Sequence, residues 1–369
     1  MKRKKHSSVS GRLLRGLRLA LCLAMLCSLL LSLRDTRALG QSGRKPLSEE
    51  RAAQQQPQGG VTEGEEDVLR VRTEEVLLPV SVRDTFGLPV GGLSEESFFI
   101  YDNGVRQEIE SFNRRRIPAH IVLLLDASGS VFSQMRFIRE AAKGFIQGLD
   151  AEDKVSVMQF ADKVELLQDW TSATDTATLL KAVDWRYRPG ESTAFYDGLY
   201  LAAHDQLSKV EGRRLIIVLT DGIDSIDSRH ASYKDALNAV RSAEATVYVV
   251  SLTASLRALL EKRTGGGGLG RILARGYDPR QVSRYLSLIN GAEKLLTGLA
   301  EQTGGRIFLP IKDEELSPAY SAIALELRTQ YIITYRPRPK AQAGTWRVIR
   351  VLVAPGGYEV ASRRGYTVD

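Results

Sequence analysis

The chain of 369 residues has two cysteines, and both, Cys22 and Cys27, fall inside one apolar run near its start. The body beyond that run has none. This excludes a disulfide framework, a cysteine-based metal centre and thiol redox chemistry. A cysteine-free body must rely on its core, and roughly 300 residues are enough to bury one. Histidine is nearly as scarce. His120, His204 and His230 are the three beyond the N-terminal segment. No Gly-x-Ser-x-Gly elbow occurs, so no serine is presented as a hydrolase nucleophile. No Walker-type phosphate loop occurs either, and ATP use is not implied. Gly265, Gly267 and Gly270 formally match G-x-G-x-x-G. They neither follow a strand nor open a βαβ unit, so they read as part of a flexible insertion rather than a dinucleotide site.

A basic body is also lacking, despite a net charge of +7. Residues 1–40 hold nine Lys or Arg against one acid, Asp35. The remainder has 42 basic and 43 acidic residues, a net charge of −1. The basicity belongs to the N-terminus, and no nucleic-acid partner is implied.

That N-terminus reads as a targeting segment. Basic residues end at Arg18, the apolar run Leu19–Leu33 follows, and Ala38-Leu39-Gly40 offers a small-residue cleavage site. Residues 1–40 are therefore a secretory signal peptide or, if retained, a signal anchor. Fifteen residues of helix span only ~22 Å against a hydrocarbon core of ~30 Å, which favours the cleaved form. Leu21 and Leu26 precede the cysteines, so a lipoprotein box is lacking. The expectation is export: periplasmic, extracellular, or anchored facing outside the cytoplasm. Membrane contact is expected only through this segment if it stays uncleaved.

Residues 41–66 are polar and read as a disordered linker. Residues 67–117 read as an N-terminal β segment. Val76, Leu78, Val80 and Val82 alternate, Asp84–Gly87 is a turn, and Phe98–Tyr101 is a second strand. Asp102-Asn103-Gly104 is a hairpin signal before a third strand near 107–112. From Pro118 strands and helices alternate. Ile121–Leu125 and Leu215–Leu219 are continuous apolar runs, as expected of strands covered on both faces. Helices are expected near 132–149, 194–208, 233–243 and 292–303. The fold class is α/β, a mostly parallel sheet with helices on both faces over 118–312. Residues 254–291 interrupt it as the flexible insertion. Residues 313–369 supply a connecting helix and a C-terminal β segment. Neither β segment suffices for a stable sheet alone. The two are therefore expected to pack as one small β-sandwich into which the α/β domain is inserted.

Strand Ile121–Leu125 runs into Asp126-Ala127-Ser128-Gly129-Ser130. In open α/β sheets, ligands bind beyond the carboxyl ends of strands. One carboxylate and two hydroxyls on alternate loop residues form a partial oxygen shell for a hard cation. Thr193 precedes a helix, and Asp221 follows the strand Leu215–Leu219. Both are placed to complete the shell.

With these five residues, the chain resembles the von Willebrand factor type A (VWFA) domain. That family's metal-ion-dependent adhesion site (MIDAS) is built from D-x-S-x-S, a threonine and a distal aspartate. The matching ligands here are Asp126, Ser128, Ser130, Thr193 and Asp221. Residues 67–369 resemble more narrowly the acidobacterial VWFA-related family. The carriers are Leu78–Asp84, Ser97-Phe98, Asp102-Asn103-Gly104, Leu327–Tyr331 and Arg364-Gly365-Tyr366. The resemblance implies a Rossmann-like fold and a divalent cation, first Mg²⁺, with Mn²⁺ and Ca²⁺ as alternatives. It further implies a metal position open to the Asp or Glu carboxylate of an unidentified protein partner. No catalytic residue is assigned, and the protein is not expected to be an enzyme. Glu191, two residues before Thr193, departs from the usual small residue and is read as solvated, the alternative being that it reaches the metal edge and makes the site more acidic. Two other readings stand beside adhesion. In one, an envelope scaffold has a metal that only stabilises its loops. In the other, a metal-assisted hydrolase uses Asp224 or Asp227.

Overall fold

A computed structural model describes residues 75–113, 117–224, 231–264, 279–340 and 342–368. The signal segment, the linker and the glycines 265–270 lie outside the described residues. No helix among the described residues is long and apolar enough to cross a membrane.

Four strands lead the described chain: β1 (Val76–Arg83), β2 (Phe98–Asp102), β3 (Val105–Gln107) and β4 (Ile109–Asn113). The α/β region follows with β5 (Ala119–Asp126), α1 (Met135–Gln147), β6 (Lys154–Phe160), β7 (Val164–Ser172), α2 (Thr176–Trp185) and α3 (Phe195–Leu201). It continues through β8 (Arg213–Thr220), α4 (Tyr233–Ser242), β9 (Thr246–Ser251), α5 (Thr253–Thr264), α6 (Pro279–Gln302), β10 (Ile307–Phe308) and α7 (Leu316–Thr329). The chain closes with β11 (Tyr331–Tyr335), β12 (Trp346–Val353), β13 (Glu359–Ala361) and β14 (Gly365–Thr367).

The central sheet has the order β10-β9-β8-β5-β6-β7. All its pairs are parallel except β6 with β7. Strand alternation divides the apolar runs between two cores. Ile121, Leu123 and Leu125 of β5 face one core with α1, α2 and α7, through Ile138, Val183 and Ile323 among others. Val122 and Leu124 face the other with α3, α4 and α6, through Leu199, Val240 and Leu299. Five consecutive apolar residues are thus all buried because helices cover both faces. Strand β5 is where the order turns. The chain moves to β6 on one side and later to β8 on the other, which opens a crevice at their carboxyl ends.

The outer strands form two antiparallel sheets, β13-β1-β11-β4 and β14-β12-β2-β3. They share one core, with Leu78, Val80 and Ile333 from one sheet and Ile100, Val351 and Tyr366 from the other. Both sheets join N- and C-terminal strands, through β1 with β11 and β13 in one and β2 with β12 in the other, so neither segment builds a complete sheet alone. Arg83 of β1 joins this sandwich to the α/β layer. Its Nη1 donates to both carboxylate oxygens of buried Glu326 on α7 at 3.1 Å. The Tyr248 hydroxyl of β9 donates to the same carboxylate at 3.0 Å.

Several expectations change in detail. The single strand near 107–112 is two strands in different sheets. The chain crosses between them at Glu108, and alternation alone does not register a change of sheet. Gln107 supports the break: its Oε1 accepts from Arg338 N at 2.8 Å and its Nε2 donates to Arg338 O at 2.9 Å. The helix near 194–208 is α3, a π-helical stretch at Ala202–Gln206 and a 3-10 turn at Leu207–Lys209. The expected insertion 254–291 carries α5 at its start and the first half of α6 at its end. Gly291 and Gly298 lower the helix propensity of α6 by about 1 kcal/mol each, which hid its true extent. Burial of Ile289, Ala292, Leu296 and Leu299 overrides that cost. Helix α2, unanticipated, begins with an Asp175 side-chain cap on Thr178 N at 3.2 Å.

Candidate metal centre

Leu125 of β5 pairs with Leu219 of β8, so Asp126 and Thr220 leave the sheet side by side. Thr220 Oγ1 donates to Asp126 Oδ2 at 2.8 Å. The other oxygen, Oδ1, accepts the Ser128 amide at 2.9 Å and the Ser128 hydroxyl at 2.5 Å. Ser128 Oγ lies 3.0 Å from Ser130 Oγ. Three alternate side chains of one loop therefore converge, as their spacing required. The Asp126 carbonyl accepts a hydrogen bond from the buried Tyr187 hydroxyl, which anchors the loop from below.

Asp221 follows Thr220 directly. Its Oδ1 accepts from Ile223 N at 3.0 Å, while its Oδ2 is buried with no partner. Gly222 makes this turn at φ 71°, and its amide donates to Thr220 Oγ1 at 2.9 Å. A Cβ there would lie 2.6 Å from Leu296 Cδ1, so only glycine fits both the angle and the space.

Thr193 is buried on the loop between α2 and α3. That loop lies against the first one. Gly190 N donates to Ala127 O at 2.8 Å, and a Cβ on Gly129 would meet Glu191 O at 3.1 Å. Asp126, Ser128 and Ser130 are thus linked by hydrogen bonds, the Ser130 hydroxyl reaches Asp221, and Thr193 comes in on a loop packed against them. Asp126 and Ser128 are fully buried and Asp221 nearly so, while Ser130 is partly exposed and marks the open side. Glu191 is exposed, in accord with the solvated reading.

The electrostatics are unfavourable as they stand. Burial, reinforced by the Asp221 charge, pushes Asp126 from an ordinary 3.8 up to about 7. Burial raises Asp221 as well, with the Ile223 amide and the Ser130 hydroxyl pulling the other way. Neither carboxylate has an ion-pair partner within 4.0 Å among the described residues. Two adjacent buried carboxylates without a counter-charge are costly. A divalent cation would remove that cost and satisfy Asp221 Oδ2. The donor set, all oxygen with two carboxylates and three hydroxyls, suits a hard cation such as Mg²⁺. Among the described residues, no group of three or more His, Cys, Asp or Glu forms a different metal centre.

The candidates for acid–base chemistry lie elsewhere. His120 begins β5, at the end opposite Ser128, with its ring against Trp170. His204 is exposed and bonded to Asp205 at 2.8 Å. Asp224 accepts from Phe195 N at 2.7 Å, so one of its oxygens caps a helix instead of facing a substrate. Asp227 and His230 lie outside the described residues. Sequence reading missed Asp162, Tyr187 and Thr220 as supports of the site. Thr220 alone had a signal, its place directly before Asp221 at a strand end.

Residues 120–268 match the family model of the von Willebrand factor type A domain. A 110-residue stretch is 32% identical to an uncharacterized protein of Synechocystis sp., over 29% of this chain and 26% of that relative. The match therefore spans about a quarter of the relative. Among solved structures, a von Willebrand factor type A protein from Catenulispora acidiphila aligns at 13% identity over 75% of each chain, with a TM-score of 0.42. Proximal thread matrix protein 1 from the mussel byssus aligns at 17% identity over 62% of this chain and 51% of that one, with a TM-score of 0.43. The PilB minor pilin from Streptococcus sanguinis aligns at 14% identity over 58% and 62%, with a TM-score of 0.41.

Proposed function

Residues 120–268 being a von Willebrand factor type A domain, we propose that the chain is an exported, metal-dependent protein-binding module. Asp126, Ser128, Ser130, Thr193 and Asp221 hold the cation, Mg²⁺ first, with Mn²⁺ and Ca²⁺ as alternatives. The observation that carries this reading is the pair of buried carboxylates, Asp126 and Asp221, with Asp221 Oδ2 unpartnered. A bound divalent cation supplies the missing positive charge and a Lewis-acidic position for an external carboxylate. The residues around it do the rest. Thr220 and Ser128 orient Asp126, Gly222 turns Asp221 inward, and Ser130 marks the face a partner approaches. The partner is a protein offering Asp or Glu. Export rests on the segment Leu19–Leu33 with its basic flank and the small-residue site Ala38-Leu39-Gly40.

The test is a binding comparison with Mg²⁺ and with EDTA, run on the chain and on Asp126→Ala. Affinity capture from envelope extract that depends on Mg²⁺ and on Asp126 supports adhesion. Capture that persists in EDTA, or in the variant, overturns it. A metal-dependent rise in melting temperature without any metal-dependent ligand would instead favour the scaffold role.

A further inference from the structure

The loop that delivers Thr193 is held from outside by carboxylates. Residues Gly190–Ala194 make no regular element before α3, yet their amides and that of Phe195, which opens α3, are engaged by three other loops. Gly190 N donates to Ala127 O at 2.8 Å, and Ala194 N to Ala161 O at 2.9 Å. Glu191 N donates to Asp162 Oδ2 at 3.1 Å and to Oδ1 at 3.3 Å. Ser192 N donates to Asp162 Oδ1 at 2.8 Å. On the far side, Phe195 N donates to Asp224 Oδ1 at 2.7 Å.

Asp162 sits on the turn between β6 and β7, and Asp224 lies three residues past Asp221. Thr193 is thus bracketed by acceptors on either side. A second tie runs the other way, because Asp197 Oδ1 accepts from Ala231 N at 2.8 Å. Asp224 and Asp197 together clasp the Asp221 loop to the first turn of α3. The fit is close: a Cβ on Gly190 would lie 2.6 Å from Ala161 Cβ and 2.7 Å from Asp162 Oδ2.

We propose that Asp162 and Asp224 are positioning residues that fix the Thr193 hydroxyl relative to Asp126 and Asp221, an inference that rests on the metal reading above. Both act through backbone amides, so they need an acceptor at a set position rather than a charge. A hydroxyl ligand on an unsupported loop would have to be ordered each time the cation binds. Supports of this kind commonly contribute 10–100-fold to metal affinity.

The test uses Mn²⁺ as the probe, titrated into the full chain, with amide hydrogen exchange measured in EDTA. Asp224→Asn keeps an acceptor for Phe195 N and loses the charge, whereas Asp162→Asn keeps one oxygen for Ser192 N and turns its NH2 group toward the Glu191 amide. Asp162→Glu and Asp224→Glu keep the charge and move the acceptor. Asp224→Asn should bind Mn²⁺ within about threefold of the parent, and Asp162→Asn and the two glutamate variants about tenfold more weakly. Exchange protection at Phe195 should persist in Asp224→Asn and fall in Asp224→Glu, and protection at Glu191 should fall in both Asp162 variants. Glutamate variants that bind like the parent, or Asp224→Asn as weak as Asp224→Glu, would overturn the inference alone. A parent chain that binds no Mn²⁺ would overturn the proposed function and this inference together.

Discussion

Asp102 at the end of β2 and Asp126 at the end of β5 are both sealed from solvent, but their surroundings differ in charge. Asp102 accepts from Arg347 Nε at 2.6 Å, from Tyr335 OH at 3.0 Å and from Tyr366 OH at 2.9 Å. One positive charge meets one negative charge, and two phenols complete the set. Asp126 receives only neutral donors, from Ser128 and Thr220, and faces a second carboxylate. The sandwich has closed its polar cluster with its own chain. The α/β layer has left its cluster short of positive charge, in the crevice where such sheets bind ligands. A buried acid alone therefore signals nothing. What distinguishes a candidate site is a buried acid whose compensation the fold does not supply.

The largest effect should come from breaking the closed cluster. Asp102→Ala leaves the Arg347 guanidinium buried without its partner, and its Nη2 already has none. Removing one partner of a buried pair costs about 3–5 kcal/mol. Equilibrium unfolding in urea should show this loss equally in Mg²⁺ and in EDTA. A loss that depended on metal would erase the contrast between the two regions.

The open cluster should behave in the opposite way. Asp126→Asn removes one of two neighbouring like charges, so the metal-free chain should lose little stability or gain some. The variant should also lose the stabilisation that metal brings, about 2.7 kcal/mol at a concentration 100 times Kd. Thermal unfolding with and without Mg²⁺ measures both quantities. A large loss in EDTA would mean that Asp126 is structural in the manner of Asp102.

The two clusters were also unequally legible. The five proposed ligands stood out because residue type, spacing and strand ends coincide at Asp126, Ser128, Ser130, Thr193 and Asp221. The Asp102 cluster left no such trace. Its members, on β2, β11, β12 and β14, meet only once N- and C-terminal strands pair. The same holds for Asp162, whose role depends on a turn between β6 and β7 meeting a loop some 30 residues away. Arg83 was noticed in a family motif, but its bond to Glu326 spans 243 positions. Helix α2 was missed because its cap, Asp175, stands in a run of Ser, Thr and Asp that reads equally well as a loop. Local pattern revealed elements and loop ligands, whereas charge compensation across the fold needed three dimensions.

A smaller effect should appear with pH. Asp126 stands near 7 in the folded, metal-free chain and at 3.8 when unfolded. Between these values the folded chain holds a proton that the unfolded chain has released. Metal-free stability therefore falls as pH rises through that window. A cation must displace that proton, so Mg²⁺ affinity should weaken by up to about tenfold per pH unit below 7. The difference in melting temperature between Mg²⁺ and EDTA should accordingly widen from pH 5 to pH 8. A difference that stays constant across this range would show that no proton on a buried carboxylate competes with the metal.

The smallest effect is expected at Glu191, two residues before Thr193. Its amide is tied to Asp162, but its side chain is exposed, so its charge is screened by water and salt. Glu191→Gln keeps the size and the backbone bond and removes only the charge. Exposed charges of this kind contribute about 0–1 kcal/mol, and the neighbouring metal site should register at most a twofold change. Isothermal titration with Mg²⁺ resolves that. A tenfold loss would make Glu191 a third carboxylate of the site, with three negative charges against a 2+ ion. The metal would then be less open to an external Asp or Glu, and the contrast with Asp102 would shift from an open cluster to a second closed one.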